Sequence, residues 1–159
     1  MLIRSIQPQD HAACVAVVKT LTGWFSPDAQ DRAVPADLKY QQGFLAESDG
    51  RVVGFITLFV AEGRLNIGWL AVRRDYHRQG IGGKLLARAE QRAAELGLSE
   101  LATYTLGDSV EYKPYEMTRA FYFKHGFQIY QRNKTDNSEC PEEIKIKKRI
   151  AAPQVAPYR

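Results

Sequence analysis

A glycine-rich turn between an apolar run and a helical pattern is the feature that most constrains how this chain can fold. The apolar run ends at Val72, basic residues follow it, and Gly80, Gly82 and Gly83 come next. Apolar residues at helical spacing then predict a helix that ends near Leu96. Glycines at a helix start let a ligand approach the backbone closely, and the unpaired amides of the first turn attract phosphate. The segment therefore predicts a strand, an anion-binding turn and a helix.

Two familiar nucleotide-binding motifs do not fit this turn. A P-loop requires Ser or Thr after Gly-Lys, but Leu85 follows Gly83 and Lys84, and Arg78 stands where the first glycine belongs. A dinucleotide fingerprint requires a glycine three residues after its second glycine, and Leu85 again occupies that position when Gly82 is the second. The turn therefore indicates a different phosphate-bearing ligand.

The remaining pattern predicts a mixed α/β domain. Apolar and alternating runs predict strands over residues 2–7, 44–47, 52–60, 65–72, 101–106, 127–131 and 143–150. Helical spacing predicts helices over residues 11–21, 36–41, 82–96 and 115–125. Asp49-Gly50 and Glu62-Gly63 are turn signals, so the second, third and fourth strands should be antiparallel. The fifth strand follows a crossover helix, so it should run parallel to the strand that ends at Val72.

Length and composition fit one folded domain without a metal centre. The chain has 159 residues and 45% hydrophobic content, so we predict a single domain over 1–150 and a disordered tail over 151–159. Cys14 and Cys140 lie far apart, which gives neither a disulfide framework nor zinc-binding spacing.

Charge and hydropathy favour a cytoplasmic protein that binds neither nucleic acid nor membrane. The net charge is +4, but the one dense basic run, 145–149, alternates with isoleucine and predicts a strand with one wet face. The N-terminus lacks the pattern of a signal peptide, and no apolar run approaches the roughly 20 residues of a membrane span.

The turn resembles the coenzyme A-binding turn of the GNAT superfamily of N-acetyltransferases, whose pattern is Arg/Gln-x-x-Gly-x-Gly/Ala. Gly80 and Gly82 match it, and His77 occupies the usual Arg/Gln position. A second segment resembles another signature of that superfamily, in which a helical Tyr is followed four residues later by Gly-Phe. Tyr122 and Gly126 have that spacing. Tyr115 stands where the family often has Asn.

This resemblance implies a GNAT-like α/β (α+β) fold: a mixed, largely antiparallel sheet of six to seven strands flanked by about four helices. Strands four and five are expected to be parallel and splayed, with a bulge near Leu70 that opens the gap. The pantetheine arm of acetyl-CoA is expected along Leu70, Ala71 and Val72. The pyrophosphate is expected on the main-chain amides of Arg78, Gln79, Gly80, Ile81, Gly82, Gly83 and Lys84.

Several cations could add to this binding site. The side chains of Arg78 and Lys84 lie within the turn itself. Arg73, Arg119 and Lys124 are candidates for the 3′-phosphate of coenzyme A.

The reaction implied by the resemblance is transfer of acetyl from acetyl-CoA to a primary amine, by direct attack in a ternary complex. Tyr122 matches the family's acid position, and a main-chain amide near the bulge would hold the thioester oxygen. Asn66 stands where some relatives have Glu on the fourth strand, and Asn cannot accept the amine's proton. A water chain or a loop residue is left as the base, the loop candidates being Glu62, Asp108, Glu111 and His77.

The sequence does not identify the acceptor amine. Tyr112, Pro114, Tyr115 and Glu116 lie where the acceptor side is usually built, and the acceptor could be a small molecule or a peptide. Both a monomer and a homodimer are compatible with the pattern. Because the strand carboxylate is missing, the alternative is a catalytically silent acyl-CoA-binding sensor of the same fold.

Overall fold

The computed structural model describes residues 1–151, and most of the predicted tail, 152–159, lies outside them. Seven strands form one sheet: β1 (Leu2–Ser5), β2 (Gln42–Ser48), β3 (Arg51–Ala61), β4 (Arg64–Val72), β5 (Glu100–Leu106), β6 (Gln128–Lys134) and β7 (Glu142–Arg149). Four α-helices flank it: α1 (His11–Lys19), α2 (Val34–Tyr40), α3 (Ile81–Glu95) and α4 (Lys113–Lys124). This architecture confirms the predicted fold class.

The strands lie in the order β1-β2-β3-β4-β5-β7-β6, and β4 with β5 is the parallel pair. The last strand therefore lies between β5 and β6, where it pairs antiparallel with both. Tight turns join β2 to β3 and β3 to β4, and glycines with positive φ stand in them at Gly50 (73°) and Gly63 (72°). These are the turns that the sequence predicted.

A bulge interrupts β4 where it pairs with β3. Ile56 lies opposite Leu70 and the register then shifts, so Gly68 and Trp69 together face the single residue Thr57. The main-chain N–H of Trp69 donates to the Thr57 hydroxyl at 2.8 Å instead of to a strand carbonyl. An extra residue of this kind bends its strand away from the neighbour.

A gap separates β4 from β5 beyond the first residues of their pairing. The two strands pair at Leu65 with Leu101 and at Asn66 with Ala102, and no further pairing is present in the described residues. The Thr103 hydroxyl of β5 still donates to the Ile67 carbonyl at 3.1 Å, and beyond that contact the chain leaves one edge of β4 free, next to the bulge. This is the predicted splay of strands four and five.

Two apolar cores cover the two faces of the sheet. One lies under α3 and α4 and includes Ile56, Leu85 and Ile146; the other lies under α1 and α2 and includes Val17 and Phe55. Each such fully buried side chain contributes about 1.5–3 kcal/mol by leaving water. Within residues 1–151, none of the helices combines the length and apolarity needed to cross a membrane.

Candidate active site

A cavity of about 630 Å³ lies between the end of β4, the start of α3 and one side of α4. Most of the predicted cofactor-binding residues line it, namely Leu70, Ala71, Val72, Arg78, Gly80, Ile81, Gly82, Gly83 and Lys84. Tyr122 lines it as well, and Gln79 does not. Lys124 and His125 at the end of α4 also line the cavity, and because burial lowers the pKa of His125, Lys124 supplies the positive charge of that pair.

The turn before α3 presents unpaired main-chain amides to this cavity. Arg78 and Gly80 have positive φ, 64° and 76°, so the backbone curls at two of the residues that line the cavity. The amides of 78–83 have no acceptor among the described residues, whereas that of Lys84 donates to the Gly80 carbonyl at 3.1 Å. The unpaired set therefore ends one residue earlier than the sequence predicted, and Lys84 offers its side chain alone.

Gly82 and Gly83 have a packing role that sequence reasoning missed. A Cβ at Gly82 would lie 3.1 Å from Phe121 Cζ, and one at Gly83 would lie 3.1 Å from His125 Cε1. Their small size lets the first turn of α3 pack closely against α4. Gly80 differs, because a Cβ there would meet nothing within 4 Å and only its left-handed φ favours glycine.

The free edge of β4 is partly occupied by the protein itself. The N–H of Arg73 donates to the Val53 carbonyl of β3, so by alternation Ala71 also faces β3 while Leu70 and Val72 face the gap. The Val72 carbonyl accepts a hydrogen bond from His77 Nε2 at 2.7 Å. Leu70 therefore keeps both backbone groups toward the gap, and Val72 keeps its N–H alone.

Tyr122 lies at the inner end of the cavity. Its side chain is 6% exposed and its ring packs edge-on against Phe121 and Phe127. Burial raises the pKa of its phenol above the ordinary 10, and the Thr103 hydroxyl partly opposes that shift. The phenol is therefore protonated across the neutral range, which suits it to donate a proton or hydrogen bond and not to accept one.

The candidates for the base lie away from the cavity or are already paired. Glu62 is 71% exposed and pairs with Arg64 at the β3–β4 turn. Asp108 pairs with Arg132 at 2.8 Å, and this hydrogen bond lowers the pKa of its carboxyl. Glu111 is exposed in the loop before α4.

His77 and Asn66 are committed to backbone contacts. His77 uses Nε2 as a donor to Val72, so that nitrogen is not a free base. The Asn66 side-chain amide donates to the carbonyls of Ala61 and Arg64, both at 3.1 Å. Asn66 therefore stabilises the β3–β4 turn.

Arg119 is not available to the 3′-phosphate of a cofactor, contrary to one sequence-based candidate. It is 7% exposed and donates to the carbonyls of Leu106 and Gly107 at 2.8 and 3.2 Å. Its role is to fasten α4 to the end of β5. Arg73 pairs with Asp75 outside the cavity, which leaves Lys124 as the candidate that lines it.

Three hydrogen bonds join the loop after α1 to the start of α4, next to Trp24, which lines the cavity. The Trp24 indole N–H donates to the Pro114 carbonyl at 2.9 Å. The hydroxyls of Tyr112 and Tyr115 donate to the carbonyls of Gly23 and Trp24 at 2.6 and 2.8 Å. Tyr115, which stands where the family often has Asn, therefore helps to join the loop to α4. Burial raises the pKa of its phenol to about 12.

The family model for the "Acetyltransferase (GNAT) domain" matches residues 39–129, which include the bulge, the turn before α3 and Tyr122. The chain therefore belongs to the GNAT acetyltransferase family. Among curated proteins it is similar to the S-alkylcysteine N-acetyltransferase of Bacillus subtilis (strain 168), with 25% identity over 120 residues. That alignment covers 71% of this chain and 66% of the relative, so the chain spans just under two thirds of the relative's length.

Solved structures show the same fold. A GNAT-family protein from Desulfovibrio desulfuricans superposes with a TM-score of 0.82 at 24% identity, covering 94% of this chain and 99% of that one. The ribosomal-protein-S18-alanine N-acetyltransferase of Escherichia coli gives 0.75 at 17% identity, covering 99% of each chain. An aminoglycoside 6′-N-acetyltransferase complexed with coenzyme A gives 0.76 at 18% identity, covering 98% of this chain and 100% of that one.

Proposed function

We propose that this protein transfers the acetyl group of acetyl-CoA to a primary amine. The observation that carries the proposal is the row of unpaired main-chain amides at 78–83, which face a cavity with basic side chains at its rim. Such a row binds a diphosphate well, because each N–H gains an anionic acceptor that the protein itself does not provide. The free edge at Leu70 then extends from the turn toward the gap, in the direction that an extended pantetheine arm requires.

The residues at the inner end of the cavity suit acyl transfer. We assign the thioester oxygen to the Leu70 N–H, which faces the gap beside the bulge, because negative charge develops on that oxygen during attack. The amine first loses a proton to water, since the acidic loop candidates lie outside the cavity lining and His77 Nε2 is engaged with the Val72 carbonyl. Its lone pair then forms the C–N bond as the C–S bond breaks, and the leaving sulfur takes a proton from Tyr122. Solvent reprotonates Tyr122, and the acetylated nitrogen releases its extra proton, so an ammonium acceptor gives up one net proton per turnover.

Acceptors of relatives are diverse, so a panel of amines is needed. The relatives named above act on S-alkylcysteine, on an alanine of ribosomal protein S18 and on aminoglycosides, according to their names. The panel should therefore include an amino acid, a peptide N-terminus, a lysine derivative, a polyamine and an aminoglycoside, each assayed by thiol release.

The first test of the proposed function is thermal. Acetyl-CoA at about 100 times its Kd should raise the Tm of the wild-type protein by about 5–10 °C, as expected for a ligand of the native state in a chain of this length. Lys84→Glu should remove most of this shift, because its side chain lines the cavity. Lys134→Glu makes the same charge change on exposed β6 and should retain the shift. No shift in the wild type would overturn the proposal, and a shift without thiol release on any amine would favour the acyl-CoA-binding sensor.

A further inference from the structure

A small polar group lies beside the bulge on the face of the sheet that α2 covers. It consists of Asp37 and Gln41 of the α2 end, Thr57 of β3, and Gly68 with Trp69 of β4, and we call it the bulge pocket. The Trp69 indole N–H donates to Asp37 Oδ2 at 2.8 Å, and this contact holds the carboxylate above the bulge. No Lys or Arg of residues 1–151 forms an ion pair with Asp37.

Gln41 contributes an acceptor without a partner. Its Oε1 is the one buried side-chain nitrogen or oxygen in residues 1–151 that makes no hydrogen bond. A buried polar atom normally has a partner, and leaving one unpaired costs about 1–3 kcal/mol. Gly68 makes this position possible, since a Cβ there would collide with the Gln41 amide. The chain therefore directs an unpaired acceptor onto the backbone of the bulge.

The bulge pocket begins where the cofactor cavity ends. The cavity lining reaches Leu70 and Phe25, and Phe25 packs against Trp69 with ring centroids 5.6 Å apart. Trp69 is thus the boundary between the cavity and the pocket. A thioester that enters along β4 has its carbonyl near Leu70, so an amine has to reach that carbon from the side that the cofactor leaves open. Asp37 contacts Trp69 and Gln41 contacts Gly68, so both side chains lie beside the bulge next to Leu70, on the face that α2 covers.

We infer that Asp37 and Gln41 bind the ammonium group of the acceptor, and that they determine which amines enter. The two side chains offer oxygen acceptors, one of them charged, which complements an ammonium group that has only N–H donors. The inference rests on the proposed function, because the pocket is a substrate site only if the cavity holds the thioester. It adds to that function the residues that select a cationic primary amine.

Steady-state kinetics with the best amine of the panel tests the inference. Asp37→Asn keeps an oxygen for the Trp69 indole but removes the charge, so the KM for the amine should rise at least tenfold while the KM for acetyl-CoA stays within twofold. Gln41→Met should raise the KM for the amine by about threefold to tenfold. Gln41→Glu, whose carboxylate can only accept hydrogen bonds, should keep this KM near the wild-type value. Asp31→Asn removes an exposed acid near α2 and should change neither constant. Unchanged amine KM in both Asp37→Asn and Gln41→Met would overturn the inference.

A binding measurement separates this inference from the proposed function. The protein is saturated with coenzyme A and titrated with n-butylamine and with spermidine at pH 7 by isothermal titration calorimetry. The wild type should bind at least one of the two, and Asp37→Asn should bind it at least tenfold more weakly. If the acetyl-CoA shift in Tm is present but neither amine binds, or if Asp37→Asn binds equally well, the ammonium site is wrong while the cofactor assignment stands.

Discussion

Whether a side chain is free or paired decides which individual residues can take part in catalysis. Tyr122 is buried at the inner end of the cavity, and its raised pKa keeps the phenol protonated. Arg119 and Asp108, chosen from the sequence by residue type, are instead engaged with backbone carbonyls and with Arg132. The difference lies in long-range contacts, which residue type does not reveal.

Tyr122→Phe is expected to slow turnover and to leave cofactor binding intact. The substitution keeps the ring contacts with Phe121 and Phe127 but removes the proton donor for the leaving sulfur. A positioned general acid contributes about 10²-fold or more, so kcat should fall by about that factor while the acetyl-CoA shift in Tm persists. Pre-steady-state thiol release measures the chemical step directly. An unchanged rate of that step would exclude Tyr122 as the acid.

The turn between β4 and α3 shows how an element acquires a function through its backbone. Its amides depend on two residues with positive φ, Arg78 and Gly80, and on the hydrogen bond from His77 to the Val72 carbonyl. Gly80→Ala should therefore weaken acetyl-CoA binding several-fold and lower the free energy of unfolding by about 1–2 kcal/mol, the cost of a left-handed non-glycine residue. Isothermal titration and urea unfolding measure the two effects.

Gly63→Ala is the matched control for that turn. Gly63 has φ 72°, against 76° for Gly80, and in both cases a Cβ would meet nothing within 4 Å. The loss of stability should therefore be similar in the two variants, whereas Gly63→Ala should retain full affinity for acetyl-CoA. Equal affinity in both variants would show that the turn does not contact the cofactor.

At the scale of the whole molecule, local sequence signals predict the strands, helices and turns. Contacts between residues far apart in the sequence determine how these elements surround the site. Gly50 and Gly63 stand in the turns that join β2, β3 and β4, and Gly97 and Gly126 follow the ends of α3 and α4. All four have positive φ, which is a local requirement that glycine in the sequence indicates. The place of β7 between β5 and β6 has no local signal. The hydrogen bond from Trp24 to Pro114 has no local signal either, because it joins residues 90 positions apart in the sequence.

A charge network adds to the pairing of β1 with β2, and its contribution to the free energy of unfolding should depend on pH. Arg4 donates to both carboxylate oxygens of Asp10, at 2.8 and 2.9 Å, and to Glu47 of β2 at 2.8 Å. The hydrogen bonds from Arg4 lower the pKa of Asp10, despite the opposing effect of burial. Asp10 therefore stabilises the fold above its unfolded pKa of about 3.9, and this contribution is lost as the pH falls through the lower native pKa.

Asp10→Asn should accordingly lower the free energy of unfolding by about 1–3 kcal/mol at pH 7, because Arg4 loses a charged acceptor. The difference between wild type and variant should narrow below about pH 4, where the unfolded carboxyl takes up its proton while the native one is still charged. Urea unfolding across pH 3–7 measures both quantities, with Asp136→Asn as an exposed control. If the difference in the free energy of unfolding between wild type and Asp10→Asn stays constant down to pH 3, the native pKa of Asp10 is not shifted. Asp10 would then stabilise the fold by its shape and not by its charge.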